Sequence, residues 1–299
     1  MTIQAPSVRP SALRIWLMAA RPPTLPAAVV PVLVGTAAVA RLGFLPLAFI
    51  AALLAAVLIQ IGTNFANDYF DFHKGADTVE RLGPLRVTQS GLLAPNTVRS
   101  AMVLVFGLAA LVGLYLVFVG GWPILVIGLL SIAAGVLYTG GPYPLAYHGL
   151  GDLFVFIFFG LVAVCGTAYL HTSAVPSVAW YAALPVALIV TAIIVVNNLR
   201  DIDTDRLAHK RTLAVLLGRH ATRFEYLLLV AGAYLLLPLG PLLGLASAWA
   251  LLPLLTLPIA VWLIRTVFTV EGRPLNRALG GTGRLHMLFG VLLAIGLLL

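Results

Sequence analysis

Two short stretches hold most of the acidic residues of this sequence. The first reads Asn64-Phe-Ala-Asn67-Asp68-Tyr-Phe-Asp71-Phe-His-Lys74-Gly75-Ala-Asp77. The second reads Asn197-Asn198-Leu-Arg200-Asp201-Ile-Asp203-Thr-Asp205-Arg206. Each contains Asn-x-x-x-Asp, formed by Asn67 with Asp71 and by Asn197 with Asp201. On a helix turning about 100° per residue, Asn64, Asn67, Asp68 and Asp71 fall within an arc of roughly 100°, and so do Asn197, Asn198, Asp201 and Asp205. Carboxylates gathered on so narrow a face repel one another and resist ionisation. A hard divalent cation removes the conflict, and Mg²⁺ takes a few carboxylates together with phosphate oxygens. Lys74, Arg81 and Arg86 follow the first stretch, and Arg200, Arg206, Lys210 and Arg211 lie in or after the second. Acids alone suit cation transport. Acids interleaved with bases suit a metal-bridged polyanion whose outer oxygens the bases hold. The plainer alternative is a set of helix caps and snorkelling ends. The cost of carboxylates near a bilayer argues against it for the clusters as wholes. Asp203, Glu80, Arg99, Arg219 and Arg223 read as ordinary interface charges. The six histidines share no ligand spacing.

The elements that position these clusters must be membrane-spanning helices. The 299 residues are 61% hydrophobic and 9% charged, against about 25% charged in a soluble domain. The bilayer is therefore the solvent for most of the chain. Apolar runs near 24–40, 44–66, 98–119, 122–139, 152–171, 179–198, 224–243, 245–264 and 283–299 predict a bundle of about nine helices in one domain, 1–299. With a cytoplasmic N-terminal segment (1–23), Arg41 alone of the 18 Lys and Arg residues falls on the outer side. Both acidic clusters then face the cytoplasm, next to loops at 72–97 and 201–223. Arg21-Pro22-Pro23 interrupts any signal-peptide reading of the N-terminus. Cys165 is the single cysteine, which excludes an internal disulfide or a cysteine metal site. No phosphate loop, Cys-x-x-Cys or Gly-x-Ser-x-Gly is present. Nothing points to nucleic acid.

A third stretch, Tyr138-Thr-Gly-Gly-Pro142-Tyr143-Pro-Leu-Ala-Tyr147-His-Gly149-Leu-Gly-Asp152, has no Lys or Arg despite its cytoplasmic placement. Its tyrosines and turns suit a cavity wall, where a ring can stack on an aromatic substrate or face a carbocation. An interfacial aromatic belt is an equal reading for Tyr143 and Tyr147.

Two Asp-rich motifs at the ends of the second and sixth spans resemble the UbiA superfamily of intramembrane aromatic prenyltransferases. The variant Asn67-Asp-Tyr-Phe-Asp71-x-x-x-Gly75-x-Asp77, followed by Gly83-Pro-Leu-Arg86, is similar to the branch acting on 1,4-dihydroxy-2-naphthoate. So are Ala20-Arg21-Pro22, Thr24-Leu-Pro26, Tyr138-Thr-Gly-Gly-Pro142, Gly149-Leu-Gly-Asp152 and Asn197-Asn-Leu-Arg-Asp201-Ile-Asp-x-Asp205. The resemblance runs from about residue 16 to the C-terminus. Gln60 stands where the 4-hydroxybenzoate branch tends to carry an Arg.

The resemblance implies Mg²⁺ held by Asn67, Asp68, Asp71, Asp77, Asn197, Asp201 and Asp205 against a polyprenyl diphosphate. Asp71, Asp77, Asp201 and Tyr138 would then be the catalytic group, with Tyr138 near the allylic carbon. Lys74, Arg86, Arg200 and Lys210 would hold the diphosphate, Asn64 and Tyr143 the aromatic acid, and Arg21 either the acceptor carboxylate or the diphosphate. The implied reaction moves the prenyl group to 1,4-dihydroxy-2-naphthoate with loss of CO₂ and diphosphate, giving demethylmenaquinone, in the cell (inner or plasma) membrane with the site facing the cytoplasm. The same chemistry on 4-hydroxybenzoate or homogentisate, and a cation-coupled transporter, are the alternatives. Prenyl length and oligomeric state are not encoded in these motifs.

Overall fold

The computed structural model describes residues 10–76 and 82–299. Asp77, Glu80 and Arg81 of the first cluster, and Arg9, lie outside the described residues. Among the described residues there are helices and no strands.

The chain opens with α1 (Ala12–Ala20), capped by the Ser11 side chain, which accepts from Arg14 N. It stops where Arg21 adopts φ 52° and Pro22 and Pro23 follow, since neither proline could donate a helical N–H. The chain then bends by 49° into α2 (Pro26–Val39). A long α3 (Pro46–His73) follows, then α4 (Pro95–Gly120) and the shorter α5 (Trp122–Leu137). Next come α6 (Gly151–Thr172), α7 (Ser177–Leu207), α8 (Leu213–Leu242), α9 (Ala248–Thr269) and α10 (Leu275–Leu298). Prolines at the first turns of α2, α3, α4 and α5 lose no helical bond, because the first N–H groups have no partner anyway.

Seven of these helices are each long and apolar enough to cross a membrane; α5, at 16 residues, and the bent α1–α2 pair are additional. The expected loops shrink accordingly. The segment 201–223 is mostly helical, because α7 runs to Leu207 and the next helix starts at Leu213. Polar residues beyond a bilayer can still continue a helix, and α3, with 28 residues, measures about 42 Å at 1.5 Å per residue. That exceeds the roughly 30 Å of hydrocarbon, so its last turns carry their polar residues out of the membrane.

The core centres on α7, which packs on α8, α10 and α6, while α3 packs on α4 and α2 on α10. Small residues on α7 such as Ala179, Ala182, Ala183 and Ala187 are fully buried, allowing close helix approach. The outward side chains are large and apolar: Leu104, Leu111 and Phe118 form one exposed stripe along α4. Such a surface needs lipid rather than water against it.

One local feature shapes the interior. Residues Phe156–Val162 of α6 form a π-helical segment, a distortion that often marks functional sites. It seats Gly160 against Ala187, and an added Cβ would run into the Ala187 backbone. Gly160→Val is therefore expected to lower the thermal midpoint in detergent, from an overpacking cost of about 1–3 kcal/mol. An unchanged midpoint would contradict the close approach of α6 and α7.

Candidate active site

Along α3 the residues facing the interior change from Ala56 and Ile59 to Gln60, Asn64, Asn67 and Asp71. Along α7 they change from Val190 and Ile194 to Asn197, Asp201 and Asp205. Both helices therefore grade from apolar to polar toward the same end of one cavity, with a volume of about 740 Å³. Phe154, Phe158 and Phe159 of α6 line it, as do Leu279 and Gly283 of α10. A cavity graded in this way fits an amphiphile with an anionic head and a long apolar tail.

At the polar end the Asp71 carboxylate is 2% exposed and meets three partners. Arg86 Nη2 donates to Oδ2 at 2.8 Å. Lys210 Nζ and the Tyr147 hydroxyl donate to Oδ1 at 3.2 and 2.9 Å. Asn67 Oδ1 accepts from Thr139 Oγ1 at 2.9 Å, tying α3 to the segment after α5. Nearer the membrane interior, Asn64 Nδ2 donates to Ala20 O and to Thr24 Oγ1, both at 2.9 Å, and Gln60 Nε2 donates to the same hydroxyl at 3.1 Å. These bonds hold the α1–α2 bend against α3, with Arg21 on the cavity wall.

On the α7 side Arg200 is the organiser. Its guanidinium is 1% exposed and forms a two-point pair with Asp201. It also donates to Asn197 Oδ1 at 3.0 Å and to Asn276 Oδ1 on α10 at 2.8 Å. A Cβ on Gly83 would lie 2.8 Å from Arg200 Nη2, so only glycine lets this loop rest on the guanidinium. Asn276 Nδ2 then donates to Leu82 O at 2.9 Å. The docked loop delivers Arg86 to Asp71 three residues later.

The structure thus brings Arg21, Asn64, Asn67, Asp71, Arg86, Tyr138, Asn197, Asp201, Asp205 and Lys210 to one cavity. Four expected site residues are placed elsewhere among the described residues. Asp68 is buried beside the cavity, its Oδ2 accepting from Val87 N at 3.3 Å. It holds the loop that carries Arg86, because it lies at the edge of the polar arc. Arg200 does not line the cavity; its fork is held by Asp201, Asn197 and Asn276. Lys74 Nζ turns to Thr139 O at 2.8 Å and Gly141 O at 3.4 Å. Desolvation there lowers its pKa and nearby Asp71 counters, while Lys210 adds to the lowering. Tyr143 is exposed and stacks on His148 with ring centroids 3.6 Å apart, too far out to face a cavity ligand. Thr24, Gln60, Asn198 and Tyr147 contribute to the site or its support although none was among the expected site residues. The Asn-Asn pair at 197–198 and the tyrosine-rich stretch were their visible signals.

Tyr138 lines the cavity, and desolvation raises its phenol pKa well above the ordinary value, with Asp152, Asp71 and Asp205 adding to the shift. It stays protonated and offers an OH donor and a π face. Among the described residues no three His, Cys, Asp or Glu side chains form a ready-made metal cage. The cavity donors are the carboxylates of Asp71, Asp201 and Asp205 with the amides of Asn67 and Asn197. An oxygen-rich set short of a full cage suits Mg²⁺, whose remaining positions phosphate oxygens fill.

Helical bundle and graded cavity together define a multi-pass membrane protein with a cavity that is polar and acidic at one end and apolar at the other. Residues 28–298 match the UbiA prenyltransferase family. The chain is 41% identical to the 1,4-dihydroxy-2-naphthoate octaprenyltransferase of Mycobacterium tuberculosis strain H37Rv, covering 95% of this chain and 96% of that protein. It is 38% identical to the protein of the same name from Escherichia coli K12, covering 93% and 94%. The fold is similar to the solved structure of a UbiA homologue from Aeropyrum pernix, with TM-score 0.70, 20% identity, and 91% and 96% of the two chains covered. It is also similar to a UbiA homologue from Archaeoglobus fulgidus solved with GPP and Mg²⁺, with TM-score 0.64, 14% identity, and 95% and 99% covered. This chain belongs to the UbiA prenyltransferase family.

The buried Arg200 network has a measurable consequence. Arg200→Met leaves Asp201 without its buried partner and is expected to destabilise the protein by about 3–5 kcal/mol. Asp203, paired with Arg219 but 65% exposed at its side chain, is expected to contribute less than about 1 kcal/mol when changed to Asn. Equal losses in detergent unfolding would sink this ranking.

Proposed function

We propose that the protein transfers a polyprenyl group from polyprenyl diphosphate to 1,4-dihydroxy-2-naphthoate, with loss of CO₂ and diphosphate. The carrying observation is the single cavity that joins both acidic helix ends to an apolar interior. Close relatives named for that reaction support the choice of acceptor.

Asp71, Asp201 and Asp205, with Asn67 and Asn197, would hold Mg²⁺; bound there, the ion would neutralise charge on the leaving diphosphate. Arg86 and Lys210 line the cavity beside Asp71 and would turn to phosphate oxygens when the diphosphate binds. Stabilising charge as it develops on the leaving group is the main catalytic contribution of these side chains. The allylic C–O bond breaks and its electron pair leaves with the diphosphate. The ring carbon bearing the carboxylate forms the new C–C bond, CO₂ departs, and the electrons of the broken C–C bond restore the aromatic ring. Tyr138 presents its neutral phenol to the allylic end of the chain. Arg21, on the wall beside Asn64, suits the acceptor carboxylate. Phe158, Phe159, Ile193 and Ile194 keep water from the prenyl chain.

The same reading gives the membrane arrangement. Nine crossings result if the bent α1–α2 pair and α5 each cross once. A cytoplasmic N-terminus then places the C-terminal ends of α3 and α7, and the active site, in the cytoplasm of a cell (inner or plasma) membrane protein. Exposed Trp122, Trp180 and Trp249, near the starts of α5, α7 and α9, would mark the outer interface. Collection of the carboxylates at one end of the bundle, together with family membership, sets the transporter reading aside.

Asp71→Ala and Asp201→Ala are each expected to cut prenyl transfer in membranes at least about 100-fold, the scale of losing one preorganised electrostatic contact. Chelation of divalent metal should abolish turnover. Product masses from dihydroxynaphthoate, 4-hydroxybenzoate and homogentisate identify the acceptor. A product retaining the carboxylate, or preference for another acid, would overturn the naphthoate assignment.

A further inference from the structure

Tyr147 touches residues at the ends of both acidic helices. Its hydroxyl donates to Asp71 Oδ1 at 2.9 Å. Its ring centroid is 4.9 Å from Lys74 Nζ, just beyond α3, and 4.8 Å from Lys210 Nζ, just beyond α7. Two ammonium groups so placed repel each other, and the electron-rich ring attracts both. The backbone fixes the residue in turn: Arg211 N donates to Tyr147 O at 3.1 Å, and Ala146 N donates to Tyr138 O at 2.9 Å. Tyr147 itself is not part of the cavity wall, although neighbouring Ala146 is. It therefore acts on the site through its partners.

The three donors to Asp71 differ in kind. Arg86 and Lys210 are cations on flexible stems that can turn to an arriving polyanion. Tyr147 is neutral and rides on a segment pinned by backbone bonds, so its bond to Asp71 can persist. A hydrogen bond to a ligating carboxylate fixes its orientation and tunes its affinity for metal. We propose that Tyr147 is the positioning residue of the metal–diphosphate site, its hydroxyl aiming Asp71 at the metal and its ring, which also contacts Lys74, holding Lys210 in place for the diphosphate. This rests on the diphosphate-binding reading above and not on the identity of the acceptor.

Two variants separate its functions. Tyr147→Phe keeps the ring and removes the hydroxyl; Tyr147→Leu removes both. The probes are Mn²⁺, counted by electron paramagnetic resonance on the purified full chain in nanodiscs, and inorganic pyrophosphate titrated at saturating Mn²⁺. The Phe variant is expected to bind Mn²⁺ about 10-fold or more weakly, with pyrophosphate affinity near wild type. The Leu variant should in addition lose several-fold in pyrophosphate affinity. In turnover assays both should keep the wild-type KM for the aromatic acceptor. Wild-type Mn²⁺ affinity in the Phe variant, or a raised acceptor KM in it, overturns the proposal. If the Leu variant fails to fold, the Phe variant decides alone. A wild-type protein that binds Mn²⁺ and pyrophosphate yet prenylates no naphthoate would overturn the acceptor assignment and leave the role of Tyr147 intact.

Discussion

The charge on Asp71 is the constraint around which the polar end of the molecule is built. A buried carboxylate at the end of a membrane helix is costly unless opposite charge and hydrogen bonds meet it. Here three separate segments supply them: Arg86 from the loop after α3, Lys210 from the connection after α7, and Tyr147 from the segment between α5 and α6. Each of those segments must be in place for the carboxylate to be satisfied. Low water content strengthens every one of these bonds, and it makes the loss of any one expensive.

The second acidic helix solves the same problem differently. Asp201 is met from its own neighbour, Arg200, whose other donors reach Asn197 and Asn276. That guanidinium is sealed between α7, α10 and the Gly83 loop, away from the cavity. The two ion-paired centres therefore differ in what they can do. The cations around Asp71 line the cavity and can be exchanged for a ligand. Arg200 is part of the frame that keeps α7, α10 and the Gly83–Arg86 loop in register.

Separate parts of the sequence carry the scaffold and the chemistry. Solved relatives at 14–20% identity share the fold, which needs little more than apolar helices and small residues at close crossings such as Gly160 on Ala187 and Gly290 on Val30. The chemistry is concentrated where α3 and α7 leave the hydrocarbon. There the lining passes from Ile194 to Asp205 within three turns of helix.

Composition and helical period were enough to show that lipid is the solvent, that the chain is a helical bundle, and that Asn67, Asp71, Asn197, Asp201 and Asp205 share inward faces. Those properties are local: a window of residues determines its own hydropathy, and a period of 3.6 determines which side chains align. The sequence could not tell Arg86 from Arg200, which look equally fit for phosphate, or Tyr147 from Tyr143, four residues away on the same stretch. Nor did it show that α7 continues to Leu207, since polar residues read alike whether a helix ends or merely leaves the bilayer. Those outcomes depend on which distant segment arrives beside each side chain: Asn276 and Gly83 at Arg200, Lys210 at Tyr147, Val87 at Asp68. Partner choice among buried polar groups is settled by long-range packing, so only the tertiary structure could decide it.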